Sequence, residues 1–246
     1  MKLCLAMANT RLQCTLISET MGDPGKELTS AVEDYLKAIY RLSPEGRPAS
    51  TNDIAHLLEL SAPSVSGMVK RLSELGLLEH APYKGVQLTD AGRRAALRMV
   101  RRHRLLEAYL VRFLGYSWDA VHPEAERLEH AVSDTLIERM AIALGHPAVD
   151  PHGDPIPDAD GSIHELVCTP LSGVAVGETV EIRRVDEREP ERLRYLGELG
   201  LVPGVVVTVR DRQPFGGPVT VEAAGERHTI GDELAHVVLC ASGDGR

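Results

Sequence analysis

The feature that most restricts this chain is a change of hydrophobic period near Pro170. Before it, apolar residues recur every three to four positions, as one face of a helix requires; after it they alternate, as a half-buried strand requires. One chain must therefore carry a mainly helical part and a separate β part. The alternating runs Thr179-Val180-Glu181-Ile182, Val205 to Val209, Val219-Thr220-Val221 and Val237-Val238-Leu239 are punctuated by glycine and proline, which predicts a small β-barrel over 170–240 and a short tail at 241–246. At 246 residues, 43% apolar, the chain is long enough for two to three modest domains. No run approaches the roughly 18 apolar residues of a membrane helix, so no membrane partner is expected. Cys4, Cys14, Cys168 and Cys240 lack CxxC spacing, which excludes a disulfide framework or a cysteine zinc site and suits a reducing cytoplasm. Residues 1–27, with Arg11 interrupting a short apolar run and no A-x-A site following, are expected to form a disordered extension.

The helical part divides again. Val32, Leu36, Ile39 and Tyr40 mark a first helix, stopped by Ser43-Pro44-Glu45-Gly46. A short helix from Thr51 to Leu58, with Ser50 or Thr51 as its cap, is followed by Ser61-Ala62-Pro63-Ser64, a cap and an early proline. The next helix directs Val65, Met68, Val69, Leu72 and Leu75 inward and ends at Gly76. Two short helices joined by a tight turn predict a helix-turn-helix. Leu77 to Thr89 reads as strand, tip and strand, which adds a wing and completes a domain at 28–97. A long helix from Asp90 to Phe113 carries the stripe Ala95, Met99, Leu106, Leu110 and Phe113; helices near 118–130 and 133–144 complete a helical unit at 98–145, with a linker at 146–169.

The net charge of -9 argues against nucleic acid only if charge is averaged over the chain. Lys70, Arg71, Lys84, Arg93, Arg94 and Arg98 outnumber the acids among them, and Arg101, Arg102 and Arg104 extend the run, whereas acids dominate from Asp119 to Glu165. A local cationic face is what phosphate contacts need. The N-terminal residues of the second helix, Ser61, Pro63, Ser64 and Ser66, would face bases, and Thr51, Lys70, Arg71, Tyr83 and Lys84 complete the expected DNA-contacting set. The competing view is an ordinary helical core domain.

A second constellation lies in the helical unit. His103 and Glu107 share a face at i and i+4, and His122, Glu126, Glu129 and His130 follow within nine residues. Burying several carboxylates without a cation is costly, so the cluster predicts a divalent ion. Carboxylate and imidazole donors without thiolate suit Mn²⁺ or Fe²⁺. HExxH is absent, Glu126 to His130 has ExxxH spacing, and no Gly-x-Ser-x-Gly or phosphate loop appears, so an enzyme acting on a small-molecule substrate is not expected. A metalloenzyme or metal-handling protein with a basic surface is the alternative of a different class.

With these motifs in view, residues 28–240 resemble the DtxR/MntR family of metal-dependent transcriptional regulators. Val32 to Tyr40 resembles that family's first helix, Arg101 to Glu107 and Val121 to Asp134 its two metal-bearing segments, and Gly153-Asp154-Pro155-Ile156-Pro157 its linker. The β part resembles the SH3-like, FeoA-type module of three-domain members. The resemblance implies two metal sites per subunit: a primary one of Asp34, Glu126, Glu129 and His130, and an ancillary one of His103, Glu107, His122 and Glu189, with Glu191 as the substitute for Glu189. Acidic residues at 34 and 126 match the manganese branch, where the iron branch has methionine and cysteine. Lys37 stands where two-domain manganese members have a glutamate ligand, and Arg192 where iron-type members have a second ligand from the SH3-like domain. The implied activity is a repressor, activated by Mn²⁺ or alternatively by Fe²⁺, that binds palindromic double-stranded operator DNA as a homodimer.

Overall fold

The computed structural model describes residues 28–43, 46–81, 85–164, 167–186 and 189–242. Helix α1 (Ser30–Leu42) buries Val32, Tyr35, Leu36 and Ile39, the face its spacing predicts. In α2 (Thr51–Leu57) the cap is Ser50, whose hydroxyl accepts the Asp53 N–H at 3.0 Å. Ser61 accepts from the Ser64 N–H in the same way at the start of α3 (Ala62–Glu74), which buries Val65, Val69 and Leu72. Leu75, expected in the core, falls at the helix cap and is about half exposed. Strands β1 (Leu78–Ala81) and β2 (Gly85–Leu88) form an antiparallel hairpin, and Val86 bridges back to Ala49, so the wing is tied to the α1–α2 connection.

The 25-residue helix α4 (Asp90–Leu114), about 37 Å long at 1.5 Å per residue, belongs to two cores. Ala96, near its start, packs with Val32, Leu36 and Leu72, whereas Leu105 and Leu106 pack with Ala125 of α5 (His122–Leu128) and Ile137 and Ala141 of α6 (Asp134–Leu144). Thr89 caps it, accepting from Gly92 N–H at 3.1 Å, and Gly115 ends it in the left-handed conformation. Shared by both cores, α4 is the element across which side chains on α1 come near side chains on α5.

Segment 146–157, expected as linker, is packed in its second half. Ile156 joins the helical core, and Asp150, His152 and Asp154 are buried. Asp150 Oδ1 accepts from the N–H groups of His152 and Asp154 at 2.8 and 3.0 Å, and Arg101 donates to the Pro157 carbonyl at 2.8 Å. The proline and glycine content that signals a loop is satisfied by a turn held from inside.

The C-terminal part is one antiparallel sheet in the order β3 (Thr169–Pro170), β8 (Val238–Ser242), β4 (Thr179–Val185), β5 (Val206–Arg212), β6 (Val219–Ala223), β7 (Glu226–Ile230). Inward-facing Val180, Ile182, Val207, Val209, Val219 and Val221 form its core with Leu193 and Leu196 of α7 (Pro190–Glu198) and Ala235 of α8 (Asp232–Val237). Alternation predicts the strands and is silent on these two helices. Trp118 packs on this core from the helical unit, with Gly197 of α7 beneath its ring; a Cβ there would stand 2.9 Å from the indole nitrogen. Among the described residues, no helix is long and apolar enough to cross a membrane.

Candidate metal centre and DNA-facing helix

Asp34 and Glu33 point from α1 toward the end of α5, where Glu129 and His130 turn back. His130 Nε2 lies 2.9 Å from Asp34 Oδ1 and 3.6 Å from Glu129 Oε1, while its Nδ1 lies 2.8 Å from Glu33 Oε2. Asp34, Glu129 and His130 form a compact three-donor group. Glu33, which the sequence reading did not single out, fixes the His130 ring from behind; its signal is adjacency to Asp34 on a helix that faces the site. Glu126, expected in the same group, is half exposed and stands to one side, 3.5 Å from His122 Nε2 and 3.7 Å from Lys37 Nζ. The Lys37 ammonium donates to Glu129 Oε1.

His103, Glu107 and His122 form a second group. Glu107 Oε1 is 3.0 Å from His103 Nε2 and 2.9 Å from His122 Nδ1, and the two rings meet edge to face. The groups are joined, because His103 Nδ1 lies 2.6 Å from Glu129 Oε2. Glu129 thus spans both. Burial would lower the His103 pKa, but hydrogen bonds with Glu107 and Glu129 outweigh it and hold the imidazole up at about 9. Burial likewise raises the two carboxyls, yet the histidines beside Glu107 push it well below the usual range, and His103 and Lys37 keep Glu129 low. At Asp34 burial wins over His130 and Lys37, and its carboxyl is raised.

Glu107, Asp150 and His152 form a third group, one that periodicity could not announce because two members come from the supposed linker. His152 Nδ1 stands 3.8 Å from Glu107 Oε2, and its Nε2 lies 2.8 Å from the Trp118 carbonyl. Burial, with the Asp154 and Glu107 carboxylates nearby, pushes Asp150 up to about 7. Glu189 joins none of these groups. It precedes α7, largely exposed, and pairs with Arg192 at 2.8 Å; Glu191 is exposed as well.

Every donor in the three groups is oxygen or imidazole nitrogen, and the described cysteines, Cys168 and Cys240, lie in the C-terminal part. Buried carboxylates that converge with oriented imidazoles fit a hard or borderline divalent cation.

Ser61, the cap of α3, and Pro63, Ser64, Ser66, Lys70 and Arg71 on the helix are exposed, with Gly67 among them, and Thr51 begins α2 half-buried. Ser66 Oγ donates to the Ala62 carbonyl at 2.9 Å, and Ser61 and Ser64 hydroxyls meet at 3.0 Å. Tyr83 and Lys84 lie outside the described residues. The basic run is narrower than the sequence implies. Arg102 pairs with Asp134 at 2.7 Å, Arg101 with Glu138 at 3.1 Å and Arg104 with Asp154 at 3.4 Å, so these three serve internal packing while Arg93 and Arg94 stay exposed.

Comparison with known proteins decides what this combination is. Residues 27–86 match the iron-dependent repressor N-terminal DNA-binding domain, residues 89–158 the iron-dependent repressor metal-binding and dimerisation domain, and residues 169–242 the FeoA domain. The chain belongs to the DtxR family. Among relatives of this DtxR-family protein, the iron-dependent repressor IdeR of Mycobacterium leprae is 35% identical over 86% of the chain and 97% of its own length. The diphtheria toxin repressor of Corynebacterium efficiens is 32% identical over 89% and 99%. A solved manganese-dependent transcriptional repressor in complex with manganese is similar at TM-score 0.79 and 41% identity, over 86% of this chain and 99% of that one. This DtxR-family chain is accordingly a metal-dependent DNA-binding transcriptional repressor and not an enzyme.

Proposed function

We propose that the protein is a Mn²⁺-activated repressor that binds palindromic operators as a homodimer, with two metal sites per subunit. The carrying observation is that the donors come from two bodies: Asp34 from the DNA-binding domain, Glu129 and His130 from the helical unit. Asp34, Glu129 and His130 would hold the first ion, with Glu126 able to approach by rotation of its half-exposed side chain. His103, Glu107 and His122 would hold the second. A bound cation supplies the positive charge that lets these carboxylates stand together. Glu129, shared by both groups, couples them. An ion drawing on both Asp34 and Glu129 would tighten the α1–α5 junction beyond what the Lys37 and His130 contacts hold, fix the angle of α3 and set two recognition helices of a dimer near one turn of DNA apart, roughly 34 Å.

The all-oxygen and imidazole donor set supports Mn²⁺, since hard anionic oxygens offset its low place in the affinity order. Similarity to a repressor solved with manganese supports the same reading. Fe²⁺ is the second reading, because curated relatives are iron-dependent repressors. Gel retardation of operator DNA, titrated separately with Mn²⁺ and Fe²⁺ under anaerobic conditions at fixed salt, tests both. Activation by Mn²⁺ at lower free concentration supports the proposal; equal DNA affinity with and without chelator overturns it.

A further inference from the structure

We propose that Lys37 is a tethered competitor for the divalent ion, and that its charge sets the ion concentration at which the protein responds. The inference rests on the reading of Asp34, Glu129 and His130 as an ion site. Lys37 follows Asp34 by three positions on α1 and so shares its face. Its ammonium donates to Glu129 Oε1 and stands 3.7 Å from Glu126 Oε1, between the two carboxylates. The other oxygen of Glu129 is engaged by His103 Nδ1 at 2.6 Å. The Glu129 side chain is 1% exposed and cannot turn to water for relief. An ion drawing on Glu129 Oε1 therefore has to displace the lysine or share the carboxylate with it.

The lysine is built to yield. Its side chain is 22% exposed, and its flexible stem can carry the ammonium to solvent. If it leaves, the ion pair with Glu129 is lost; if it stays, two cations repel at short range. Both outcomes weaken ion binding relative to a neutral residue at this position. Arg102, also beside α1, does not do this, because it faces Glu33 at 4.0 Å and pairs with Asp134. If Lys37 were only a prop that holds Glu129 in place, its removal would loosen the donor group and weaken binding. The two roles predict opposite signs.

Calorimetric titration of the full-length protein with Mn²⁺ alone separates them. Lys37→Gln keeps a donor for Glu129 without the charge, Lys37→Met removes both, and Lys37→Arg keeps the charge. The neutral variants are expected to bind Mn²⁺ at least tenfold more tightly than the original chain, and Lys37→Arg to stay within about threefold of it. The rise in melting temperature on adding Mn²⁺ should grow in the same order, as tighter binding to the native state requires. If Lys37→Met fails to fold by circular dichroism, Lys37→Gln carries the test. Equal or weaker binding by the folded neutral variants, or Lys37→Arg binding as tightly as they do, overturns the inference. An unaltered chain that binds Mn²⁺ while the variants show no gain leaves the ion site standing and removes only the competitor; an unaltered chain that binds no Mn²⁺ removes both.

Discussion

At the scale of single residues, the centre is organised by carboxylates that serve two masters. Glu129 offers one oxygen to His103 and the other to the α1 side, and Glu107 faces His103 and His122 with one oxygen and His152 with the other. The two expected sites are thus not independent, and His103→Ala should disturb both through Glu129. The more selective probe is Glu33, which touches His130 and no other donor of its group. Holding Nδ1 of His130 at 2.8 Å, it fixes the ring so that Nε2 faces Asp34. Glu33→Gln keeps the size and removes the charge; we expect Mn²⁺ affinity to fall by about 10- to 100-fold, the usual cost of a lost orienting partner, with the fold intact. Calorimetry decides it, and an affinity within twofold of the original would show that the ring needs no such support.

At the scale of elements, α4 and segment 150–157 determine the geometry. Asp134 at the start of α6 is clamped by Arg98 and Arg102 of α4. Partial burial would raise its pKa, but the hydrogen bonds from both guanidinium groups outweigh this and lower it. A carboxylate with a lowered folded pKa adds stability above its unfolded value, about 3.9, and loses it as pH falls through the folded value. Asp134→Asn should therefore be less stable than the original at pH 7, with the difference shrinking below about pH 4, as urea unfolding at several pH values would show. Segment 150–157 gives a sharper case. Gly153 has φ +87°, and a Cβ there would lie 1.9 Å from the Arg183 carbonyl of β4, so Gly153→Ala should cost at least about 1–3 kcal/mol and loosen the FeoA domain from the helical unit. The emission of Trp118, the only tryptophan, reports that loosening directly. Periodicity made α1, α3, α4 and the strands legible, because each buries one regular face. It also made His103, Glu107, His122, Glu129 and His130 legible, because they crowd into two segments. Asp150 and His152 were not, since their burial comes from a turn folded back on α4 that no local period encodes. The exposure of Glu189 was equally hidden: whether a residue before α7 reaches the helical unit depends on how two domains dock.

At the scale of the molecule, the helical unit exposes large apolar side chains on two of its helices. Phe113 and Leu114 at the end of α4 are 50% and 60% exposed, and Leu136 and Ile142 on α6 are 42% and 61% exposed. These residues belong to the segment matching the metal-binding and dimerisation domain. Large apolar side chains on two neighbouring helices are the composition expected at the centre of a self-association interface. The proposed switch depends on that interface, since a single recognition helix covers only half of a palindrome and a rigid spacing exists only between two copies. The proposed metal donors lie elsewhere: Asp34, Glu129 and His130 gather at the α1–α5 junction within one chain. Assembly and ion binding should therefore come apart under mutation. Leu114→Glu with Ile142→Glu introduces a charge at each of two strongly exposed apolar positions without touching a buried core residue. The double variant should sediment as a monomer, keep Mn²⁺ affinity within about threefold, and lose at least about 100-fold in operator affinity at fixed salt, because the second half-site no longer adds its contacts. A variant that remained dimeric would move the interface off these helices, and a monomer that still bound the operator with full Mn²⁺ dependence would remove dimer spacing from the mechanism.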